Sequence, residues 1–382
     1  MRNIMVVTGS RAEYGLLKNV IQKIDSAPTL NLQLVVTGSH LSHKFGYTIK
    51  EITADGFEIS SQIEMIIDGS SKSAILKSMG LEMIQLAQTI EQLNPDIIVI
   101  LGDRYEILTV AICATMMNKP LAHIAGGEVS YGANDEQIRH AITKMAHIHF
   151  AEADVYAQNI RNMGEEAWRV HSVGALGIEN IKSIPQMTVQ QLNESLGITL
   201  DSDTILMTYH PTTLESGNLK YEMDELLTAL KYFNNQFVIT YPNPDNGGSY
   251  IIERLQQFAT DNPNIKLFDS LGVVRYLNVM RHCMAVVGNS SSALIEAPFM
   301  KKPVVNIGNR QEGRLMADNI IQCGNNSKDI QRAITTAISL KFAEQVENTK
   351  SLYGYGDTSS DIVKVLEHIK LDEKLLKKRL EW

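Results

Sequence analysis

The chain reads as short apolar runs of strand length set between longer amphipathic stretches. In the first half, runs rich in Ile, Val and Leu fall at residues 4–8, 32–37, 96–101, 121–124, 147–151 and 170–173. Helix-period patterns at 16–24, 81–93, 106–117 and 135–146 lie between them. That alternation predicts a parallel sheet wrapped by helices, with ligands received at the carboxyl ends of the strands. After a polar, helix-leaning stretch at 183–203 the pattern restarts, with strands at 204–208, 236–241, 265–268, 284–288 and 304–307. The fold class that fits is α/β, as two doubly wound domains, 1–174 and 175–360, with a cleft between them. A last amphipathic, Lys-rich helix at 361–382 either packs back on the first domain or stays solvated.

Composition narrows the picture. A chain of 382 residues exceeds what one core normally supports, and 44% hydrophobic with 20% charged residues is an ordinary globular balance. No apolar run reaches membrane-spanning length, and the start of the chain enters a strand without a cleavage pattern, so a cytoplasmic protein with no membrane partner is expected. Cys113, Cys283 and Cys323 are far apart and odd in number, which suggests neither a disulfide framework nor a zinc site. A net charge of −8 argues against nucleic acid as a partner, so negative ligands must be met by a few placed cations and amides.

Candidate chemistry gathers at the predicted strand ends. Gly288-Asn289-Ser290-Ser291-Ser292 lies between a strand and a helix and can aim amides and hydroxyls at a phosphate. Its plain alternative is a helix N-cap. Glu296, one turn on, could accept both hydroxyls of a ribose. Gly9-Ser10-Arg11-Ala12-Glu13-Tyr14-Gly15 follows the first strand but lacks the dinucleotide spacing, so no nicotinamide cofactor is implied. There Arg11 is a candidate phosphate clamp, with Glu13 as its surface partner. Gly102-Asp103-Arg104-Tyr105-Glu106 ends a buried strand. His123 to Glu128, followed by Asn134 to His140, brings carboxylates to a strand end, with Asp135 and Arg139 on one helix face and Glu136 and His140 on another. Carboxylates in partly desolvated surroundings can exchange protons with carbon or oxygen. His147 and His149 alternate on a strand and read as core histidines. Tyr209-His210-Pro211-Thr212-Thr213, Arg310 and Arg314 complete the set.

In their order along the chain, these motifs resemble the UDP-N-acetylglucosamine 2-epimerases, and more closely the hydrolysing branch of sialic-acid biosynthesis. The resemblance runs from Ile4 to about Gly356. It implies the glycosyltransferase-B architecture, two Rossmann-like domains, the first carrying the sugar and acid–base side and the second UDP. The implied reaction eliminates UDP across carbons 1 and 2 to give 2-acetamidoglucal, then adds water to yield N-acetylmannosamine. By motif, the catalytic residues would be Asp103, Glu128, Asp135 and His210. Ser290, Ser291, Arg310 and Arg11 would hold phosphates and Glu296 the ribose. Leu271 and Gly272 would receive the uracil through backbone groups, His40 would sit by the sugar, and Arg139 would orient Asp135 or be structural. No metal or other cofactor is implied, and a homodimer or homotetramer is. Ala125 stands where many relatives have a carboxylate, which shifts work to Glu128 or to water. Arg11-Ala12-Glu13 and Leu16 depart from the non-hydrolysing pattern. The nearest alternative keeps the mechanism and changes the sugar to 2,4-diacetamido-2,4,6-trideoxyglucose, on the way to legionaminic acid. A glycosyltransferase of the same architecture and a non-catalytic UDP-sugar sensor are the alternatives of other classes.

Overall fold

In the computed structural model, which describes residues 1–67, 72–131, 135–211, 219–242 and 247–381, the apolar runs form two wholly parallel sheets. The first holds β1 (Arg2–Thr8), β2 (Leu30–Val36), β3 (Ile59–Gln62), β4 (Ile97–Leu101), β5 (Leu121–Ile124), β6 (Ile148–Ala151) and β7 (Val170–Ser172), in the order β3-β2-β1-β4-β5-β6-β7. The second holds β8 (Ile205–Thr208), β9 (Phe237–Thr240), β10 (Ile265–Phe268), β11 (Ala285–Gly288), β12 (Val304–Ile307) and β13 (Ile320–Cys323), in the order β10-β9-β8-β11-β12-β13. The chain divides into two units, Met1–Glu128 with Asp135–Asn180 and Gly354–Trp382, and Val129–Asn134 with Ile181–Tyr353.

β4 shows why the first sheet forms. Its sequence Ile-Ile-Val-Ile-Leu is buried throughout, as a parallel strand covered on both faces must be. Ile97, Val99 and Leu101 enter one core with the helix Arg11–Ser26, while Ile98 and Ile100 enter the other with the helices Lys72–Leu93 and Tyr105–Met116. The C-terminal segment completes the first of these cores: Ile362 and Leu366, on the helix Thr358–His368, and Leu375 are all fully buried there. Polar contacts fix the segment as well. Arg169 is fully buried and donates to the carbonyls of Leu375 and Lys374, both at 2.7 Å. The Lys378 ammonium donates to the carbonyls of Lys144 at 2.7 Å and Ala146 at 2.5 Å, at the end of the helix Asp135–Met145.

In the second unit β8, β9 and β11 lie at the centre of their sheet, with Met207, Ile239 and Val287 in one core and Leu206, Val238 and Val286 in the other. β11 and β8 approach so closely that a Cβ on Gly288, at φ +136°, would stand 1.9 Å from the Thr208 carbonyl oxygen. In both sheets the strand order reverses beside the first strand, between β1 and β4 and between β8 and β11. Crevices for ligands open at such points in doubly wound sheets. β3 and β13 are additions to the pattern read from sequence. Both are edge strands, and Ser60, Ser61 and Gln62 leave β3 without an apolar run. Among the described residues no helix is long and apolar enough to cross a membrane.

Candidate active site

In the first unit the strand-end residues gather around Arg139. Gly102, at φ +78°, turns the chain after β4, and Asp103 and Arg104 precede the helix Tyr105–Met116. Arg139, on the helix Asp135–Met145 and 1% exposed, donates from Nε to Asp103 Oδ2 at 2.8 Å, and from Nη1 to Glu136 Oε2 at 2.9 Å and the Glu128 carbonyl at 3.0 Å. Helical spacing put this arginine on one face with Asp135; the structure joins it to Asp103, at the end of β4. Glu128 is buried, and Asp135 is exposed at the first turn of its helix, where the helix dipole favours a carboxylate. Asn134, read as a possible cap, lies outside the described residues. His140 and Glu136 do pair, at 2.8 Å. Buried His123, Nε2 2.8 Å from the Gly102 carbonyl oxygen, pins the loop, and burial pushes its pKa down to about 4.

The residues after β1 are less as expected. Arg11 is half-exposed and pairs with Glu51 at 3.0 Å, not with Glu13. Glu13 is buried and accepts the Gly9 N–H at 2.7 Å. His40 is fully enclosed, its ring nitrogens 3.1 Å from Thr8 Oγ1 and 2.8 Å from Thr48 Oγ1, and burial pushes it down to about 4. It holds the loop after β2 rather than opening on a surface. The motifs contained, without singling it out, a side chain that does open outward. Arg104 is 48% exposed, while its Nε is gripped at 2.5 Å by the buried carboxylate of Glu106, so the outer edge of its guanidinium faces solvent.

In the second unit Asn289 ties the ends of β8 and β11 together. It is buried, accepts the His210 N–H at 2.7 Å and donates to the His210 carbonyl at 2.8 Å. Its own carbonyl accepts from Arg310 Nη1 at 3.0 Å and Gln311 Nε2 at 2.8 Å. His210 and Arg310 are thereby held at one point, and burial, with the Arg310 charge added, pushes the His210 ring down to about 3. A neutral imidazole carries one N–H donor and one acceptor nitrogen. Ser291 occupies the N-cap position of the helix Ser292–Phe299 without making a capping hydrogen bond, which argues against the plain-cap reading. Ser290 Oγ makes only a 3.4 Å contact with the Ser292 N–H. Glu296 lies one turn on; its Oε2 is buried without a hydrogen-bond partner among the described residues, and burial raises the group to about 7. Leu271 and Gly272, expected to receive the uracil through backbone groups, have two of those groups engaged within the protein. The Gly272 N–H donates to Ser270 Oγ at 3.1 Å and the Leu271 carbonyl accepts from Arg275 at 2.8 Å. Thr212 and Thr213 lie outside the described residues.

Elsewhere, His147 Nδ1 accepts the Leu121 N–H at 3.2 Å and His149 faces Glu165 at 3.2 Å, as core histidines do. Among the described residues no group of three or more His, Cys, Asp and Glu side chains is placed to hold a metal ion.

Known proteins share this sequence pattern and fold. Residues 22–367 match the model of a family described as UDP-N-acetylglucosamine 2-epimerase. The GDP/UDP-N,N′-diacetylbacillosamine 2-epimerase (hydrolyzing) of Campylobacter jejuni is 39% identical over 98% of both chains. The UDP-N,N′-diacetylbacillosamine 2-epimerase (hydrolyzing) of Legionella pneumophila is 33% identical over 99% of both. The crystal structure of UDP-GlcNAc 2-epimerase from Neisseria meningitidis bound to UDP-GlcNAc has the same fold, with a TM-score of 0.79 at 18% identity over 95% of this chain and 99% of that one. The two parallel-sheet units are therefore the glycosyltransferase-B type of fold, and the chain belongs to the UDP-N-acetylglucosamine 2-epimerase family of nucleotide-sugar epimerases.

Proposed function

We propose that the chain is a hydrolysing 2-epimerase whose substrate is a UDP-linked 2,4-diacetamido-2,4,6-trideoxyglucose. The observation that carries the choice of sugar is the 39% identity, over 98% of both chains, to a hydrolysing epimerase of N,N′-diacetylbacillosamine, which is that same sugar. Hydrolysis of UDP-N-acetylglucosamine to N-acetylmannosamine for sialic acid is the second reading, favoured by the motif order and by 30% identity, over 97% of this chain, to a UDP-N-acetylglucosamine 2-epimerase of Neisseria meningitidis.

The chemistry asks for an unusual pairing. The proton on carbon 2 is not acidic in the ground state, so the bond from carbon 1 to the diphosphate oxygen must lead in breaking. A base then takes the proton, the C–H electron pair becomes the C1=C2 double bond and UDP departs with the C1–O pair. Water returns a hydroxyl to carbon 1, and an acid returns a proton to carbon 2 from the opposite face. In this reading Asp103, Glu128 and Asp135 share the two proton transfers, and Arg139 positions Asp103. The outward edge of Arg104 binds substrate oxygen. His210, Arg310, Ser290 and Ser291 hold the diphosphate, where His210 donates to the developing charge, and Glu296 takes the ribose hydroxyls. The structure supports Arg11, His40, Leu271 and Gly272 less, because each already has a partner within the protein. A homodimer or homotetramer, testable by sedimentation, belongs to the same proposal, as does cytoplasmic location.

An NMR time course in deuterium oxide tests it, with UDP-2,4-diacetamido-2,4,6-trideoxyglucose, its GDP analogue and UDP-N-acetylglucosamine in parallel. The expected result is UDP and a free 2-epimerised diacetamido sugar carrying deuterium at carbon 2. Turnover of UDP-N-acetylglucosamine alone would install the second reading, and no nucleotide release from any would end the enzyme assignment.

A further inference from the structure

Three buried carboxyl groups, Glu106 with Glu13 and Glu82 facing it, have no part in the reaction above. Glu106 lies on the helix Tyr105–Met116, Glu82 on the helix Lys72–Leu93 and Glu13 on the helix Arg11–Ser26; they are 1%, 0% and 6% exposed. Each has one carboxyl oxygen buried without a hydrogen-bond partner among the described residues. The loop after β1 is closed tightly on Glu106, since a Cβ on Gly9 would stand 2.6 Å from Glu106 Cγ. The cation that faces Glu106 and Glu13 is Arg104. Three ionised carboxylates against one guanidinium would leave two uncompensated charges in a dry site, which is strongly unfavourable.

One contact accommodates a neutral acid among them. The Thr37 hydroxyl has a single proton and lies 3.0 Å from the Ile63 carbonyl oxygen and 3.1 Å from Glu82 Oε1. The carbonyl can only accept. When the Thr37 proton goes there, the contact to Glu82 is satisfied only if Glu82 is the donor, a neutral acid. Burial, with Glu106 nearby, raises Glu82 to about 8, and burial, against the Gly9 N–H and with Glu106, raises Glu13 to about 8. The other titratable groups facing the cluster, Tyr105 and Cys113, are also raised, the thiol to about 11, and stay neutral over the same range.

We propose that Glu13, Glu82 and Glu106 act as one positioning unit, in which a single negative charge resting on Glu106 fixes Arg104 Nε and turns the outer edge of the guanidinium toward substrate. The unit rests on the reading that Arg104 meets a sugar nucleotide. Ionisation of Glu82 and Glu13 places three charges behind the guanidinium and draws it inward, so substrate affinity falls more than turnover as pH rises through about 8.

Infrared titration and steady-state kinetics of the full chain test this together. Expected is a protonated-carboxyl absorption at neutral pH that disappears around pH 8 and is diminished in Glu82→Gln. KM for the UDP-sugar should rise about tenfold across that range, and Glu82→Gln should flatten the rise. Glu106→Gln should raise KM about tenfold at neutral pH with kcat changed less, and Glu106→Asp should recover part of the loss. Absence of the protonated band, an unchanged KM profile in Glu82→Gln, or a Glu106→Gln defect confined to kcat overturns the proposal. If no sugar nucleotide is turned over, the proposed function fails separately, and the infrared titration still decides whether the three carboxyl groups share one charge.

Discussion

Arg139 is a buried guanidinium whose partners come from three places: the end of β4, the stretch after β5 and its own helix. Burial without those partners would be prohibitive, so Arg139 and the side chains of Asp103 and Glu136 hold one another in a fixed orientation. Asp103→Asn and Asp135→Asn are expected to lower turnover about a thousandfold while leaving UDP affinity within a few-fold, and Arg310→Ala to weaken UDP binding about tenfold. Calorimetric titration with UDP beside a turnover assay checks the split, and equal loss of binding in all three would erase the division of roles. What is legible in sequence is placement at a strand end within one segment, as for Asp103, Glu128 and His210 after β4, β5 and β8. Glu13 was misread because its neighbour Arg11 is taken by Glu51, a residue 40 positions away. Glu82 sits in an amphipathic helix whose pattern gives no hint that one carboxylate points into the core.

At the scale of elements, two connections deserve tests because each joins pieces distant in the chain. Asn289 locks the end of β8 to the end of β11 through two buried hydrogen bonds. Asn289→Ala should cost about 2–3 kcal/mol, seen as a lowered melting transition, and should weaken UDP binding by displacing His210 and Arg310 together. A transition within about 0.5 kcal/mol of the parent would show that the strand ends need no such tie. Under the end of the helix Asp135–Met145, Glu165 accepts from Lys144 at 2.6 Å and pairs with Lys378 at 2.8 Å, with His149 at 3.2 Å. Burial would raise this carboxylate, but the bonds from His149, Lys144 and Lys378 prevail and hold it down at about 2. A depressed carboxylate stabilises the fold above its unfolded value and loses that contribution as pH falls toward the folded one. Chemical denaturation between neutral pH and about pH 3 should therefore show an acid-side loss that Glu165→Gln lacks. The alternation of β1, β4 and β11 was legible because both faces of these strands are apolar. β3 escaped because an edge strand can carry Ser60 toward solvent and Ser61 against Thr89, with no apolar run, and still pair with β2 through its backbone.

On the scale of the whole molecule, the first unit is assembled from segments at both ends of the sequence. Deleting residues 354–382 removes Ile362, Leu366 and Leu375 from its core and the carbonyl partners of Arg169, each large buried side chain being worth about 2–5 kcal/mol. Such a truncation should abolish the first unit's cooperative unfolding in calorimetry, while the second unit's transition remains. Retention of both transitions would refute the structural role given to the segment. The same arrangement orders events during synthesis. The second unit, continuous from Ile181 to Tyr353 apart from the short piece Val129–Asn134, is made in full before the first unit has its last core residues. The nascent chain must therefore carry an N-terminal sheet whose strands are complete but whose core on the side of the helix Arg11–Ser26 lacks its last covering residues until Leu375 emerges. Chaperone demand should be greatest in that interval.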